Sequence, residues 1–134
     1  RYGLLKKIPI FCPSVGAFPQ GMAVSLPLHF DWMKEGINGR KIHDIFKDRY
    51  RSEEFVSLNP LNSKESLTKE GFLSPEILIG TNYLNITIFS NDLSGQIWLI
   101  ARLDNLGKGA SGAAVQNMNL KFGFNEKLGT KLSK

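Results

Sequence analysis

The sequence is poor in cysteine and in long apolar runs. Its 134 residues include a single cysteine, Cys12, so no intramolecular disulfide can form, and a disulfide-stapled secreted mini-domain is excluded. No apolar run approaches the roughly 20 residues of a membrane-spanning helix, and no charged-then-apolar leader opens the chain. These absences predict a cytoplasmic protein without a membrane partner. The chain begins at Arg1 instead of a methionine, which indicates a processed product or a fragment.

The charge excess of the chain is mild. Seventeen Lys and Arg residues against 12 Asp and Glu residues give a formal net charge of +5, and 42% of the residues are hydrophobic. This balance is typical of one globular domain. Because the charge excess comes partly from the two termini and no basic strand is interleaved with aromatics, we expect no nucleic-acid partner. The expected organisation is a domain over residues 1–124, followed by a polar, basic and frayed tail over residues 125–134.

The first half of the chain predicts a strand, a helix and a second strand. Apolar residues alternate over residues 22–30, and Pro27 indicates that this strand lies at a sheet edge or carries a bulge, because proline cannot donate to a ladder. A helix is predicted from an Asn38 N-cap to about residue 51. Its expected apolar face consists of Ile42, Ile45 and Phe46. A short strand over residues 53–58 leaves this helix.

The second half contains a β-hairpin signal. Residues 83–89 and 96–103 are β-branched and aromatic runs joined by a turn-rich link. The second run is apolar on both faces, since Trp98 and Ile100 alternate with its other apolar residues. We therefore expect a sheet that is covered on both faces, or a subunit interface on one of them. The long irregular stretch over residues 59–80 predicts a functional or interface-forming loop.

A glycine cluster follows the hairpin. Residues 107–112, GKGASG, fit the dinucleotide fingerprint G-x-G-x-x-G and precede a helix predicted from Ser111 to about Phe122. The fingerprint also needs a later strand with an acidic residue, and the sequence has no room for one, so a self-contained Rossmann unit is not expected. Two interpretations remain. The glycines pack the helix tightly on a strand, or free N–H groups and Lys108 face an anionic or amide-bearing ligand.

The remaining reactive side chains do not form a recognisable catalytic or metal-binding pattern. Cys12 lies in a proline-flanked apolar stretch, which favours a buried, inert thiol. His29 falls on the polar side of the edge strand and His43 on the charged face of the helix, so surface or capping roles are expected for both. Two histidines without cysteine or carboxylate spacing predict no metal site. Ser111 does not lie in a nucleophile elbow and is expected to cap the helix.

Several long segments resemble one enzyme family. The strings GTNYLNITIF and QIWLIARLDNLGKGASGAAVQNMNL resemble the C-terminal end of N-acetyl-gamma-glutamyl-phosphate reductases. Upstream, FCPSVGAFPQGMAVSLPL resembles the loop and strand that follow the histidine-bearing active-site motif of that family, and INGRKIHDIFKDRYRSEEFV resembles the next helix and strand. The resemblance covers nearly the whole chain but only the back part of the two-domain family architecture.

The resemblance implies an NADP-dependent reductase of arginine biosynthesis. In that family a Rossmann domain binds NADP(H), a cysteine within Asn-Pro-Gly-Cys forms a thioester with the acyl group of a small-molecule substrate, and hydride reduces the thioester to a semialdehyde. A thiolate is a good nucleophile and a thioester a good hydride acceptor. This sequence contains neither Asn-Pro-Gly-Cys nor the histidine motif. Cys12 does not match the nucleophile, and no residue of this chain is assigned as catalytic.

The resemblance also implies which residues lie near the cofactor. In the wider fold the last helix returns to the nucleotide domain, and its start passes near the nicotinamide. The cofactor-proximal candidates are Lys108, Gly109, Ser111, Gly112, Gln116 and Asn117. The weaker substrate-proximal candidates are Gln20, Gly21 and Asn82. Many family members carry arginine where Gln20 stands, so a cationic substrate anchor is not expected at that position, although glutamine can still hydrogen-bond.

The expected fold is α+β, with a mixed, mostly antiparallel sheet and helices packed on it, resembling the C-terminal domain of glyceraldehyde-3-phosphate dehydrogenase. By resemblance this part carries the homo-oligomer interface and one wall of an active site that a missing Rossmann domain completes. The chain alone is expected to be inactive. Two alternatives stay open: a non-catalytic dimerisation or structural module, and a domain of a related aspartate-semialdehyde-type dehydrogenase.

Overall fold

The computed structural model describes residues 9–130 and is built on one four-stranded sheet. The strands are β1 (Met22–His29), β2 (Val56–Leu58), β3 (Leu84–Asn91) and β4 (Gln96–Leu103). Their order in the sheet is β1-β4-β3-β2, with β2 parallel to β3 and the other pairs antiparallel. The helices are α1 (Gly39–Tyr50) and α2 (Gly112–Phe122). The predicted α+β fold with a mixed, mostly antiparallel sheet is confirmed.

The β3–β4 hairpin forms the centre of the sheet, as its sequence predicts. One face of the hairpin carries Ile86, Ile88 and Ile97, which are each at most 5% exposed and pack with Ile42 of α1. The alternation of side chains along a strand places every second residue on this face. The core therefore lies between the hairpin and α1.

Helix α1 begins where the sequence predicts, but its buried face is different. The side chain of Asn38 accepts a hydrogen bond from the backbone N–H of Lys41, which satisfies one N–H at the helix start. Ile42 is buried, whereas Ile45 is 57% exposed, so the predicted apolar face is wrong at that position. His43 is buried instead, with Nε2 3.0 Å from the carbonyl oxygen of Asn59, and its predicted surface role is also wrong. The segment after β2 packs on this side of the helix, and helical spacing alone does not encode that neighbour.

Strand β1 lies at the edge of the sheet, which is one of the two arrangements that Pro27 indicates. Among residues 9–130 it pairs only with β4, and Pro27 stands opposite Trp98. Val24 and Leu26 are about half exposed. Helix α1 packs over β2 and β3 and does not extend over β1 at the opposite edge of the sheet. The edge strand therefore leaves apolar surface uncovered within residues 9–130.

The end of the chain folds back onto α2. Gly123, in the left-handed region with φ of 72°, ends the helix. The side-chain amide of Asn119 then donates to the carbonyl oxygens of Glu126 and Leu128, at 3.2 and 2.7 Å. Lys127 Nζ lies 2.6 Å from a carboxylate oxygen of Glu54. The expectation of a frayed tail is wrong for residues 125–130, because Asn119 supplies it with an anchor, and residues 131–134 lie outside the described part.

Neither helix of the described residues has the length and hydrophobicity to cross a membrane.

Candidate functional site

Asp104 joins three segments at the end of β4. Its carboxylate is fully buried and accepts hydrogen bonds from Nε2 of Gln20 at 2.7 and 2.8 Å. It also accepts from the backbone N–H of Gly80 at 2.8 Å and from the N–H of Leu106 at 2.9 Å. One side chain thus holds together the loop before β1, the turn before β3 and the start of the final helical segment.

The hydrogen bonds to Asp104 keep it ionised. Burial of the carboxyl by itself raises its pKa, but the bonds from Gln20 and from the backbone N–H groups of Gly80, Leu106 and Gly107 act in the opposite direction. The donors outweigh the burial, so the pKa of Asp104 is lowered from its ordinary value. Asp104 is therefore a fixed negative charge that organises its surroundings.

The neighbouring backbone is tightly fitted. The N–H of Gly21 donates to the side-chain oxygen of Asn105 at 2.7 Å. Gly21 has φ of +106°, and a Cβ at this position would lie 2.5 Å from the carbonyl oxygen of Pro75. Glycine is required here by conformation and by space. The 59–80 segment therefore packs directly on the loop that leads into β1.

A second polar group is centred on Gln116 of α2. The oxygen of its side-chain amide accepts from Nζ of Lys108 at 2.5 Å and from the amide of Asn82 at 3.1 Å. Its nitrogen donates to a carboxylate oxygen of Glu126 at 2.5 Å. Nζ of Lys108 also lies 5.4 Å from the ring centroid of Phe55, in cation–π range. We call Lys108, Gln116, Asn82 and Glu126 the Gln116 group.

Burial changes the ionisation of Lys108. Removal from water lowers the pKa of its ammonium group, and the negative charges of Glu126 and Glu53 offset only part of that effect. Lys108 is thus a partly buried cation held next to the start of α2. An arrangement of this kind can donate hydrogen bonds to a negatively charged or amide-bearing group.

The glycine cluster forms a π-helical turn, Gly107–Ser111, in front of α2. The N–H groups of Gly109, Ser111 and Gly112 donate to the carbonyl oxygens five residues earlier in the chain. These N–H groups are consequently not free for a ligand, which corrects that part of the expectation. The other interpretation, tight packing, holds at Gly112, because a Cβ there would collide with the side-chain oxygen of Asn82. Ser111 makes no side-chain cap; its hydroxyl donates to the carbonyl oxygen of Leu106 at 2.8 Å.

The comparison with known protein families agrees with this architecture. The family described as semialdehyde dehydrogenase, dimerisation domain, matches residues 4–105. The chain belongs to this family. Residues 106–130, which include α2, extend beyond the matched range of this dimerisation domain.

Similar curated proteins carry one enzyme name. The chain is 43% identical over 121 residues to N-acetyl-gamma-glutamyl-phosphate reductase 2 of Nostoc sp.; the aligned part is 90% of this chain and 38% of that protein. It is 42% identical over 122 residues to the N-acetyl-gamma-glutamyl-phosphate reductase of Brucella anthropi (91% and 38%) and 44% identical over 119 residues to that of Rhizobium etli (89% and 37%). The chain thus spans about two-fifths of the length of these relatives.

The chain brings together only some of the residues that the sequence singles out. Lys108, Gln116 and Asn82 meet in the Gln116 group, while Gln20 and Gly21 lie at Asp104 and Asn105. Gly112 packs beneath Asn82. The other cofactor-proximal candidates, Gly109, Ser111 and Asn117, are exposed.

Sequence reasoning missed Asp104 and Asn105. The available signal was an acidic residue immediately after an eight-residue strand whose last two residues are buried, since a carboxylate at such a position needs nearby donors. The donors come from residues 20 and 80, which are remote in sequence. No local pattern links them to residue 104.

Cys12 and His29 lie apart from the polar groups described above. Cys12 is exposed, so the expectation of a buried thiol is wrong. Its neighbours Ile10 and Phe11 are also largely exposed, because nothing within residues 9–130 covers this loop. His29 is exposed, as expected, and its ring contacts Trp32 with centroids 5.1 Å apart. The described residues contain no group of three side chains suited to a metal ion.

Proposed function

We propose that this chain is the dimerisation-domain part of an NADP-dependent N-acetyl-gamma-glutamyl-phosphate reductase of the cytoplasm. The complete enzyme would reduce N-acetylglutamyl phosphate to the corresponding semialdehyde in arginine biosynthesis. The names of relatives at 42–44% identity over about nine-tenths of the chain support this assignment. The nucleophilic cysteine, the histidine and the NADP-binding loop would belong to the rest of the enzyme.

The exposed start of the final helical segment carries the proposed role in cofactor binding. Gly109, Ala110 and Ser111 are small and exposed, so a flat ring can approach the backbone closely at this turn. Lys108 stands beside them, with its ammonium group fixed by Gln116. In the proposal, this turn forms one wall of the NADP site, and Lys108 donates to a carboxamide or phosphate oxygen.

Asp104 and its donors Gln20, Gly80 and Leu106 have a positioning role in the proposal. Nε2 of Gln20 donates to both carboxylate oxygens of Asp104, which fixes this side chain, and its amide oxygen has no hydrogen-bond partner within residues 9–130. Asp104 fixes the loop of residues 20–21 against the turn at Gly80. We propose that these hydrogen bonds fix the position of the substrate-side loop (residues 20–21) relative to the cofactor-side turn (Gly107–Ser111).

The activity test follows from the proposal that the catalytic residues belong to the rest of the enzyme. The purified 134-residue chain should neither reduce N-acetylglutamyl phosphate with NADPH nor oxidise the semialdehyde with NADP. Turnover by the chain alone would overturn the proposal. The gene sequence upstream of Arg1 separates the alternatives: a glycine-rich nucleotide fingerprint and Asn-Pro-Gly-Cys support the reductase, whereas an initiator codon directly before Arg1 supports an independent structural module.

We further propose that the aromatic face of the sheet binds a second copy of the chain. Trp98 and Trp32 are 42% and 68% exposed, and with Phe89 they line an open cleft of about 730 Å³ on the face opposite α1. Exposed aromatic clusters of this kind are typical of protein interfaces. The family description, dimerisation domain, supports a second copy as the occupant.

Sedimentation velocity tests the dimer face. Trp98→Glu places a charge in the proposed interface and should weaken dimerisation by at least about tenfold, because a buried unpaired charge is costly. The matched control is Leu93→Glu, since Leu93 is fully exposed at the hairpin turn, outside the cleft. An unchanged dimer in Trp98→Glu, or an equal loss in Leu93→Glu, would assign the interface to another surface.

A further inference from the structure

Arg102 of β4 is buried on the sheet face opposite α1. Its side chain is 1% exposed and belongs to the largest fully buried side chains of the described part. Nη1 donates to the carbonyl oxygens of Ser66 and Ser74, both at 3.3 Å, and Nη2 donates to side-chain oxygens of Asn85 and Thr87 at 3.1 and 3.5 Å. Three of these four distances exceed the usual range for N–H···O bonds. The guanidinium is therefore held, but loosely.

No negative charge compensates Arg102 within residues 9–130. All four of its acceptors are neutral oxygens, and none of the ion pairs formed by the described residues includes it. Its Nε is buried without a hydrogen-bond partner. Burial lowers the pKa of the guanidinium, with no carboxylate acting in the opposite direction. A buried charge without a counter-ion is strongly unfavourable, so this position calls for an anion.

An open cleft adjoins the guanidinium. It has a volume of about 500 Å³ and is lined by Arg102 together with hydroxyl and amide side chains of the 59–80 segment and β3. Ser63, Thr68, Ser74 and Asn59 supply the polar groups from the loop, and Glu65 is the one carboxylate among the lining residues. The size suits a small molecule, and the hydroxyl groups can donate to its oxygen atoms. The side-chain N–H groups of Asn59 and Asn85 already donate within the protein. We call this the Arg102 cleft.

We propose that the Arg102 cleft binds a small molecule bearing an oxyanion, either a carboxylate or a phosphate. The guanidinium supplies the charge and its unpartnered Nε–H, and the hydroxyl groups of Ser63, Thr68 and Ser74 complete the coordination of the oxyanion. The cleft is separate from the Gln116 group, with which it shares no residue. The long irregular loop over residues 59–80 therefore has a role as the cover of an anion site.

The test uses the 134-residue chain with inorganic phosphate and with citrate, each compared with sodium chloride at equal ionic strength. Both the melting temperature and the NMR signal of the Arg102 Nε–H are followed during the titration. We expect one of the two anions to raise the melting temperature by mass action and to shift this signal saturably. Binding of phosphate alone identifies a phosphate-type ligand, and binding of citrate alone identifies a carboxylate. If neither anion binds, the proposal is overturned.

Three variants locate the effect. Arg102→Met keeps most of the side-chain volume without the charge and should weaken anion binding by at least about tenfold. Glu65→Gln removes the carboxylate of the cleft and should tighten binding by about threefold, since like charges repel. Arg51→Met, at an exposed position outside the cleft, should leave the affinity unchanged. An equal loss of anion affinity in Arg51→Met and Arg102→Met would show that binding depends on the net charge of the chain and not on the cleft, and it would overturn the proposal.

Two further outcomes are decisive. If Arg102→Met does not fold, the saturable shift of the Nε–H signal in the unmodified chain and the tightening in Glu65→Gln together support the site, and the absence of both overturns it. If neither anion binds and Arg102→Met instead loses self-association in sedimentation experiments, the counter-charge comes from a second copy of the chain. That result would also overturn the small-molecule proposal.

Discussion

The side-chain amide of Gln20 donates to both carboxylate oxygens of Asp104, across 84 positions of sequence. The two contacts, 2.7 and 2.8 Å, are short because the acceptor is charged. The same carboxylate also receives the N–H groups of Gly80 and Leu106. Asp104 is therefore the point at which the loop before β1, the turn before β3 and the start of the final helical segment are fixed to one another.

Replacement of this carboxylate should destabilise the chain. Asp104→Asn retains one acceptor oxygen but introduces an amide N–H₂ among donors, so at least one backbone N–H loses its partner. We expect the free energy of unfolding to fall by about 2–3 kcal/mol. Urea unfolding followed by the fluorescence of Trp32 and Trp98 measures the change. Asp44→Asn, at an exposed position of α1, is the control and should have little effect; equal midpoints for the two variants would contradict the assigned role.

The free energy of unfolding should depend on pH through the ionisation of Asp104. Its pKa in the folded state is lowered, because the hydrogen bonds outweigh the effect of burial. A lowered carboxyl pKa contributes stability above the unfolded-state value of about 3.9, and that contribution is lost as the pH falls through the folded-state pKa. The difference in unfolding free energy between the unmodified chain and Asp104→Asn should therefore be largest near neutral pH and shrink below about pH 4. If this free-energy difference instead grows on acidification, the pKa of Asp104 is not lowered in the folded state.

Gly112 tests the packing of the helix start. A Cβ at this position would collide with the side chain of Asn82 and would lie 2.9 Å from the carbonyl oxygen of Gly107. Helix propensity alone favours alanine over glycine by about 1 kcal/mol, yet we expect Gly112→Ala to destabilise the chain by about 1–3 kcal/mol. Thermal unfolding of Gly112→Ala and Gly109→Ala provides the comparison, since a Cβ at Gly109 meets its nearest atoms only at 3.3 Å. A more stable Gly112→Ala would show that Asn82 moves aside without cost.

Lys108 and Lys127 should respond oppositely to removal of charge. Burial lowers the pKa of Lys108, whereas the hydrogen bond and charge of Glu54 raise the pKa of Lys127. Because folding lowers the pKa of Lys108, its charge opposes folding at neutral pH; this cost begins to decrease at the folded-state pKa and is gone above the unfolded-state pKa. Lys108→Met should therefore raise the unfolding free energy at pH 7, and Lys127→Met should lower it. Chemical denaturation at pH 7 checks both signs; destabilisation by Lys108→Met would mean that its contacts with Gln116 and Phe55 outweigh the cost of burial.

A stabilising Lys108→Met variant would have a functional meaning. A residue that opposes folding and is nevertheless held by hydrogen bonds is typical of a ligand-binding site. The result would support the proposed cofactor-facing role of Lys108, because structural stability would not account for a lysine at this position.

Local sequence patterns predict most of the secondary structure. The alternation in residues 84–103 depends only on neighbouring side chains that point to opposite faces, so the hairpin follows from the sequence. The N-cap at Asn38 and the edge position imposed by Pro27 are also local effects of one side chain on its own backbone. These predictions are confirmed because no tertiary contact overrides the local preference at these positions.

The errors occur where a distant segment decides burial. His43 is buried and Ile45 is exposed because Asn59 and its neighbours pack on the His43 side of α1. The hydrophobicity of the two side chains alone would predict the reverse. Residues 125–130 fold back because Asn119 offers its amide to two carbonyl oxygens. Cys12 is exposed because its apolar loop finds no cover within the described residues.

The sequence by itself determined the strands, the two helices and the resemblance to a reductase family, since each depends on short-range periodicity or on strings of consecutive residues. Only the tertiary structure decided what the charged groups do. Asp104 becomes the junction of three segments, and Arg102 becomes a buried cation beside an open cleft. The physical reason is that burial and pairing of a charge depend on groups that the fold brings from positions far along the chain, and the identity of the charged residue alone does not reveal them.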